Sequence, residues 1–281
     1  MENLSGKTAV VTGGASGIGL AIGEAFVRRG MNVVLADIEA GPLHEAAERL
    51  GAYAVRTDVG DEESVATLRD AAIERFGQVN VLCNNAGVGG GGPMSEIPLA
   101  TWKWTLGVNL WGVVHGVHHF LPHLLSHGDG HIVNTASIAG ILSFPGMGPY
   151  NVSKHAVLTL SETLYQELLQ MGSTVGVTVL CPGFVNTQII ASERNRPENL
   201  QAPLAEIDPA MEELRAVVTD LYTKTKPPSE VADLVADAIV SNRFYCYTDT
   251  AFEPSIATHH AHLRAGTNPA SVGTLFDHLN R

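Results

Sequence analysis

The segment Thr12-Gly13-Gly14-Ala15-Ser16-Gly17-Ile18-Gly19 limits what this chain can fold into more than any other. It lies between a β-branched apolar run, Thr8 to Val11, and an amphipathic segment, Leu20 to Arg29, so it reads as a tight turn from a buried strand into a helix. Gly13, Gly17 and Gly19 remove the Cβ atoms that would block a sharp turn, a close approach to a ligand and tight packing of helix on strand. The N–H groups at the start of that helix face the turn and favour an anion such as a pyrophosphate. The same glycines also suit a turn that only packs tightly, and the rest of the chain has to decide.

A chain of 281 residues suits one sizeable α/β domain, and residues 1–281 are expected to form a single dinucleotide-binding and catalytic domain. With 45% hydrophobic residues the core is full, and with a net charge of −12 and no block of Lys and Arg, nucleic acid and anionic membranes are repelled. The expected partner is a small molecule. Cys83, Cys181 and Cys246 sit at or near the ends of apolar runs with no C-x-x-C pair, which reads as buried free thiols of a reducing compartment. With no leader and no apolar span of membrane length, a soluble cytoplasmic protein is expected.

Asn32 to Ala36 reads as a second strand ending in Asp37, where a carboxylate accepts hydrogen bonds from adenosine ribose hydroxyls and repels a 2′-phosphate. Neither Ser16 nor Ile38 is basic, so no cation is foreseen for that phosphate. NAD is expected and NADP disfavoured; the other use of such an Asp is to cap the following turn. A helix over Gly41 to Leu50, a strand over Ala52 to Arg56, the turn Thr57-Asp58-Val59 and a helix over Glu62 to Phe76 follow. Val79 to Cys83 is the fourth strand, ending in Asn84-Asn85-Ala86-Gly87, and the run Gly89 to Gly92 after it reads as a flexible loop.

One long helix is expected over Thr101 to His127, strands over Gly130 to Thr135 and Gly176 to Cys181, and a helix from Pro149 to about Met171 between them. Ser229 to Asn242 reads as a further helix and Phe244 to Tyr247 as a last strand. This alternation predicts an α/β fold: a single Rossmann-type, doubly wound parallel sheet of about seven strands with helices on both faces. Residues 188–228 break the rhythm with polar, proline-bearing sequence and are expected to form a substrate lid, with a helix over Asp208 to Lys224. Residues 252–281 form a C-terminal extension.

Chemistry enters with Ser137 and Tyr150-x-x-x-Lys154. Pro149 suits the first turn of a helix, which puts Tyr150 and Lys154 one turn apart on a common face. Oxidising a secondary alcohol needs a base for the hydroxyl proton while hydride leaves the carbon. A phenol of pKa about 10 serves poorly unless lowered to near 7, which costs about 4 kcal/mol of stabilisation of the phenolate. A nearby ammonium and a positive nicotinamide ring in a desolvated cleft can supply that.

Thr12-Gly13-x-x-x-Gly17-x-Gly19, Asn84-Asn85-Ala86-Gly87, Ser137 and Tyr150-x-x-x-Lys154 together resemble the short-chain dehydrogenases/reductases in their compact single-domain form, over about Gly6 to Thr187. The resemblance implies cofactor contacts from Gly13, Ser16, Gly17, Ile18, Gly19, Asp37 and Ile38, adenine contacts from Asp58 and Val59, and a sheet steadied beside the cofactor by Asn85, Ala86 and Gly87. It implies that Pro182 and Gly183 shape a turn from which Val185 and Thr187 bind the carboxamide. The implied catalytic set is Asn109, which interrupts its helix and holds a water in a proton path; Ser137, which holds the substrate oxygen; Tyr150, the acid/base; and Lys154, which perturbs Tyr150 and binds the nicotinamide ribose.

His115, His119, His123 and His127 lie near one face of the long helix at a spacing able to bind a metal. In relatives that helix builds a subunit interface, so interface or surface histidines and no metal are expected, along with a homotetramer or dimer. His259, His260 and His262 are read the same way. The expected function is NAD-dependent interconversion of a hydrophobic or cyclic secondary alcohol and its ketone, in a cleft lined by Val88 to Gly92, Ile138 to Leu142, Phe144, Met147, Phe184, Ile189 and Ile190. Arg194 and Arg196 could meet an acidic group, but in so polar a stretch they read as solvated. The alternatives are an epimerase or dehydratase using the same Tyr and Lys, and a non-catalytic dinucleotide sensor.

Overall fold

The computed structural model describes residue 1, residues 3–201 and residues 220–273. Its strands are β1 (Thr8–Thr12), β2 (Asn32–Asp37), β3 (Tyr53–Arg56), β4 (Val81–Asn84), β5 (His131–Thr135), β6 (Gly176–Cys181) and β7 (Tyr245–Tyr247). All pair in parallel, in the order β3-β2-β1-β4-β5-β6-β7. The described helices are α1 (Gly17–Arg28), α2 (Ala40–Leu50), α3 (Glu62–Phe76), α4 (Leu99–Leu106), α5 (Gly112–His127), α6 (Gly148–Gln170), α7 (Pro228–Val240) and α8 (Glu253–Ala265).

A parallel sheet must be covered on both faces, which is why its central strands are continuous apolar runs. Strands β1, β4, β5 and β6 are buried throughout. On one face Ile22 and Phe26 of α1, Leu43 of α2, and Val231, Val235 and Ile239 of α7 form the core. On the other, Leu68 of α3, Phe120 and Leu124 of α5, and Leu164 and Leu168 of α6 do so. The strand order reverses between β1 and β4, and a doubly wound sheet opens its ligand crevice at that point, beyond the carboxyl ends of the strands. Among the described residues no helix is long and apolar enough to cross a membrane.

Most element boundaries fall within a residue or two of those expected. The long helix is not uniform: α4 and α5 are joined by a π-helical turn, Gly107–Trp111, with Asn109 buried at its middle. The expected helix over Asp208 to Lys224 lies largely outside the described residues, as do residues 274–281 of the extension. The glycine run is hydrogen-bonded at two points: the Gly92 N–H donates to Gly146 O at 2.8 Å and the Gly89 N–H to Ser192 Oγ at 2.9 Å.

Buried polar side chains tie the sheet to the helix that carries Tyr150 and Lys154. Asn84 Nδ2 donates to Asn134 Oδ1 at 2.9 Å, Asn134 Nδ2 to Ser161 Oγ at 3.0 Å, and Ser161 Oγ to Val157 O at 2.7 Å. Gly19 is fixed by contact, since a Cβ there would lie 2.1 Å from the Gly13 carbonyl oxygen. Overpacking a backbone contact of this kind costs about 1–3 kcal/mol, so Gly19→Ala is expected to lower the thermal unfolding midpoint. An unchanged midpoint would mean that the turn relaxes freely.

Candidate active site

Tyr150 stands in the first turn of α6, with Pro149 beside it, and Lys154 follows one turn later. The Lys154 Nζ lies 5.6 Å from the centre of the Tyr150 ring and donates to Thr135 O, at the end of β5, at 2.9 Å. Ser137, just beyond β5, hydrogen-bonds the Tyr150 hydroxyl, and its Oγ accepts from Ala139 N–H at 3.1 Å. A strand end and a helix start thus bring Ser137, Tyr150 and Lys154 together.

Asn109 acts from behind. Its Oδ1 accepts from Val88 N–H at 2.8 Å, while its Nδ2 donates to Val88 O at 3.0 Å and to Ser153 Oγ at 3.1 Å. The side chain therefore fastens the segment after β4 to α6, and the π turn aims it there.

Burial sets the protonation of both ionisable groups. It pushes the Tyr150 phenol above its ordinary range, with the Ser137 hydrogen bond acting the other way. It pulls the Lys154 ammonium down to about 8. The phenol shift runs opposite to the lowering expected from Lys154, because desolvation of the hydroxyl is the dominant influence and the ammonium is hydrogen-bonded to Thr135 O.

One continuous cavity of about 770 Å³ reaches from this group to the glycine turn. Gly13, Ser16, Gly17 and Ile18 line its floor, Asp37 and Ile38 one end, and Asp58 and Val59 the wall beside it. Asn85, Ala86 and Gly87 lie midway and Ser137, Tyr150 and Lys154 at the far end, and Pro182, Gly183, Val185 and Thr187 line it too, with Pro182 O accepting from Ile138 N–H at 2.8 Å. Gly19 and Asn109 are not in its lining.

The residues present fit a dinucleotide. Gly13 has φ +67°, and a Cβ on it would lie 2.9 Å from Ala86 Cα, so the floor is bare backbone at the start of α1. Thr12 Oγ1 accepts from the N–H groups of Asn85 at 2.9 Å and Ala86 at 3.1 Å, which locks the Asn84–Gly87 turn against that floor. Asp37 Oδ2 accepts from Ala15 N–H at 3.0 Å and Oδ1 from Glu39 N–H at 3.1 Å, holding the carboxylate at the mouth.

Of the expected cleft wall, Val88, Gly89, Ile138, Ala139, Phe144, Met147, Phe184, Ile189 and Ile190 line the cavity, whereas Gly90, Gly91, Gly92, Gly140, Ile141 and Leu142 do not. After Ser137 a short helical turn, Ile138–Gly140, leads the chain back into the core, and Leu142 is wholly buried there. Trp104, Leu200, Tyr222, Glu39 and Arg194 also line the cavity. Tyr222 meets Phe184 edge to face, ring centres 5.9 Å apart, and no motif in its segment signals it.

Neither arginine is simply solvated. Arg194 forms a two-pronged ion pair with Glu39, Nη2 to Oε2 at 2.6 Å and Nε to Oε1 at 3.0 Å. The Arg196 side chain is 6% exposed; it stacks over the Trp104 ring at 4.5 Å and donates to Thr101 Oγ1 at 3.0 Å.

Several histidines of α5 serve neighbouring backbone. His115 donates from Nδ1 to Val59 O at 2.9 Å, His123 Nε2 accepts from Val79 N–H at 3.1 Å, and His127 donates from Nε2 to Val79 O at 3.1 Å. His119 Nε2 lies 3.6 Å from Glu62, and the ligand atoms of Glu62, His118 and His119 lie within 4.8 Å of one another, outside the cavity lining.

Residues 7–198 match the short chain dehydrogenase family. The chain is a short-chain dehydrogenase. This short-chain dehydrogenase is 37% identical over 256 residues to the 1-deoxy-11-beta-hydroxypentalenate dehydrogenase of Streptomyces exfoliatus, covering 88% of this chain and 85% of that one. It is 38% identical over 210 residues to the 2-(R)-hydroxypropyl-CoM dehydrogenase of Xanthobacter autotrophicus, covering 72% and 83%. A crystal structure of a short chain dehydrogenase/reductase from Burkholderia phymatum in complex with NAD superposes with a TM-score of 0.92 at 42% identity, covering 98% of this chain and 100% of that one. Oxidoreduction at an alcohol or ketone is the chemistry these short-chain dehydrogenases share.

Proposed function

We propose that this chain interconverts a hydrophobic or cyclic secondary alcohol and its ketone with NAD as cofactor. The observation that carries the reading is the single cavity with Ser137, Tyr150 and Lys154 at one end and the glycine turn with Asp37 at the other. NAD bound along it supplies the hydride acceptor and a positive ring.

The chain's own groups do the rest. Ser137 holds the substrate oxygen, Tyr150 exchanges its proton, and Lys154 adds positive charge beside the phenol and binds the nicotinamide ribose. Asn109 serves the proton path from its π turn. Gly13, Ser16, Gly17 and Ile18 form the pyrophosphate cradle with Gly19 packed behind Gly13, and Asp37 and Ile38 receive the adenosine ribose. Asp58 and Val59 face the adenine, Asn85, Ala86 and Gly87 border the cofactor, and Val185 and Thr187, on the turn of Pro182 and Gly183, hold the carboxamide.

Phe144, Met147, Phe184, Ile189 and Ile190 are the apolar surfaces that favour a hydrophobic substrate, and Trp104, Leu200 and Tyr222 extend them. The lid is residues 188–228, of which 202–219 lie outside the described residues, and the subunits assemble as a homotetramer or dimer in the cytoplasm.

A panel of hydrophobic and cyclic secondary alcohols, followed at the NADH absorbance band, tests the reading. Turnover confined to small polar alcohols would count against it. NADH should bind well ahead of NADPH in a fluorescence titration, and Asp37→Ala should narrow the gap by about tenfold, the worth of removing one close charge repulsion. Equal affinities in the parent would defeat the NAD preference. The reaction uses no metal, so a chelator should leave turnover unchanged; a clear loss would bring Glu62, His118 and His119 into the mechanism.

A further inference from the structure

We infer that Glu39 enforces the choice between the two nicotinamide dinucleotides by engaging Arg194, a cation that would otherwise receive a 2′-phosphate. The inference rests on the NAD reading above. No basic residue stands at Ser16 or Ile38, but the fold brings one to the same place from a distant segment, the helical stretch Gln188–Asn195. Arg194, Asp37, Ile38 and Glu39 all line the adenosine-ribose end of the cavity.

The edge of the guanidinium that recognises a carboxylate is occupied. Its Nε and Nη2 donate to the two Glu39 oxygens at 3.0 Å and 2.6 Å, and its Nη1 donates to Ala191 O at 2.9 Å. The Arg194 guanidinium holds the Glu39 carboxyl below the usual carboxylate range, and Asp37 is close enough to add to the field at Arg194. With Glu39 in place this corner carries two carboxylates against one guanidinium, so a phosphate dianion meets excess negative charge and no free donor fork. Without Glu39 the charges of Asp37 and Arg194 cancel, and the planar fork that recognises carboxylate is free for phosphate.

Glu39 can be changed without dismantling its surroundings. It precedes α2 but its side chain makes no capping bond, and its contact with Asp37 comes from its backbone N–H. Arg194→Met opens the same ion pair without freeing a cation. It therefore separates release of the cation from mere opening of the contact.

The experiment is a fluorescence titration of NADH and NADPH against the parent, Glu39→Ala, Arg194→Met and the double variant. Glu39→Ala should lower the ratio of NADPH to NADH dissociation constants by about tenfold, the worth of one charge-assisted bond to phosphate. The gain should shrink as salt rises and be absent from both variants lacking Arg194. An unchanged ratio in Glu39→Ala, or a gain that survives in the double variant, overturns the inference while leaving the NAD reading intact. Equal affinities in the parent overturn both. If Glu39→Ala does not bind NADH, Glu39→Gln is titrated in its place, with the same ratio and the same two overturning results.

Discussion

Tyr150→Phe is expected to lower kcat by about 100- to 10,000-fold on every secondary alcohol the parent oxidises, the range that general acid–base groups contribute. NADH binding, read by fluorescence, should survive, because the ring and its packing stay. The phenol hydrogen-bonds Ser137 and stands beside Lys154, the position from which it can exchange the substrate proton. Near-normal turnover in the phenylalanine variant would remove the acid/base role.

The direction of the phenol's shift sharpens this expectation. Burial alone keeps Tyr150 protonated through neutral pH, so the lowering needed for catalysis has to come from charge added at the cleft. Phenolate absorbance attributable to Tyr150, obtained by subtracting the phenylalanine variant, should titrate at lower pH with NAD⁺ than with NADH, whose ring is neutral. Identical midpoints would assign the lowering elsewhere.

Lys154→Met is expected to abolish measurable turnover while making the protein more stable at neutral pH. The Lys154 side chain is almost fully buried, and burial takes its pKa from an ordinary 10.5 down to about 8. Between those two values the unfolded chain binds more protons than the folded one, so stability rises with pH across the window. The penalty is fully present below about 8 and gone above 10.5. At about 1.36 kcal/mol per pK unit it amounts to about 3 kcal/mol at neutral pH, against which the hydrogen bond to Thr135 O returns about 1 kcal/mol. Thermal unfolding at several pH values checks the sign: the methionine variant should unfold at a higher temperature at pH about 7, and the advantage should fade as pH approaches 10.5. A variant less stable than its parent at neutral pH would mean that the ammonium is a net stabiliser.

Much of the fold could be read along the chain because its rules are local. The Thr8 to Val11 run, the glycine turn and the amphipathic helix follow from side-chain period and backbone freedom. Tyr150 and Lys154 share a face because residues one helical turn apart must do so. The interruption at Asn109 came only through family resemblance, and its π geometry is what lets the side chain reach both Val88 and Ser153.

The contacts that chain order does not show have a common origin. Arg194 reads as solvated because its neighbours in the chain are polar, yet its partner is Glu39, 155 positions away in the sequence. Nothing local pairs with the glycine run, and its hydrogen-bond partners Gly146 and Ser192 come from distant segments. Helical spacing likewise says nothing about which loop packs against a helix, and the structure sets His115 against Val59 and His123 against Val79.

This protein's amino-acid order alone determines a doubly wound parallel sheet with a glycine-rich turn after its first strand and a Ser, Tyr and Lys set beyond its fifth. Only the tertiary structure decided which way burial moves Tyr150 and Lys154, and which distant carboxylate holds Arg194. Periodicity and turn chemistry act between residues a few positions apart. Desolvation and ion pairing depend on what the whole chain packs around a charge.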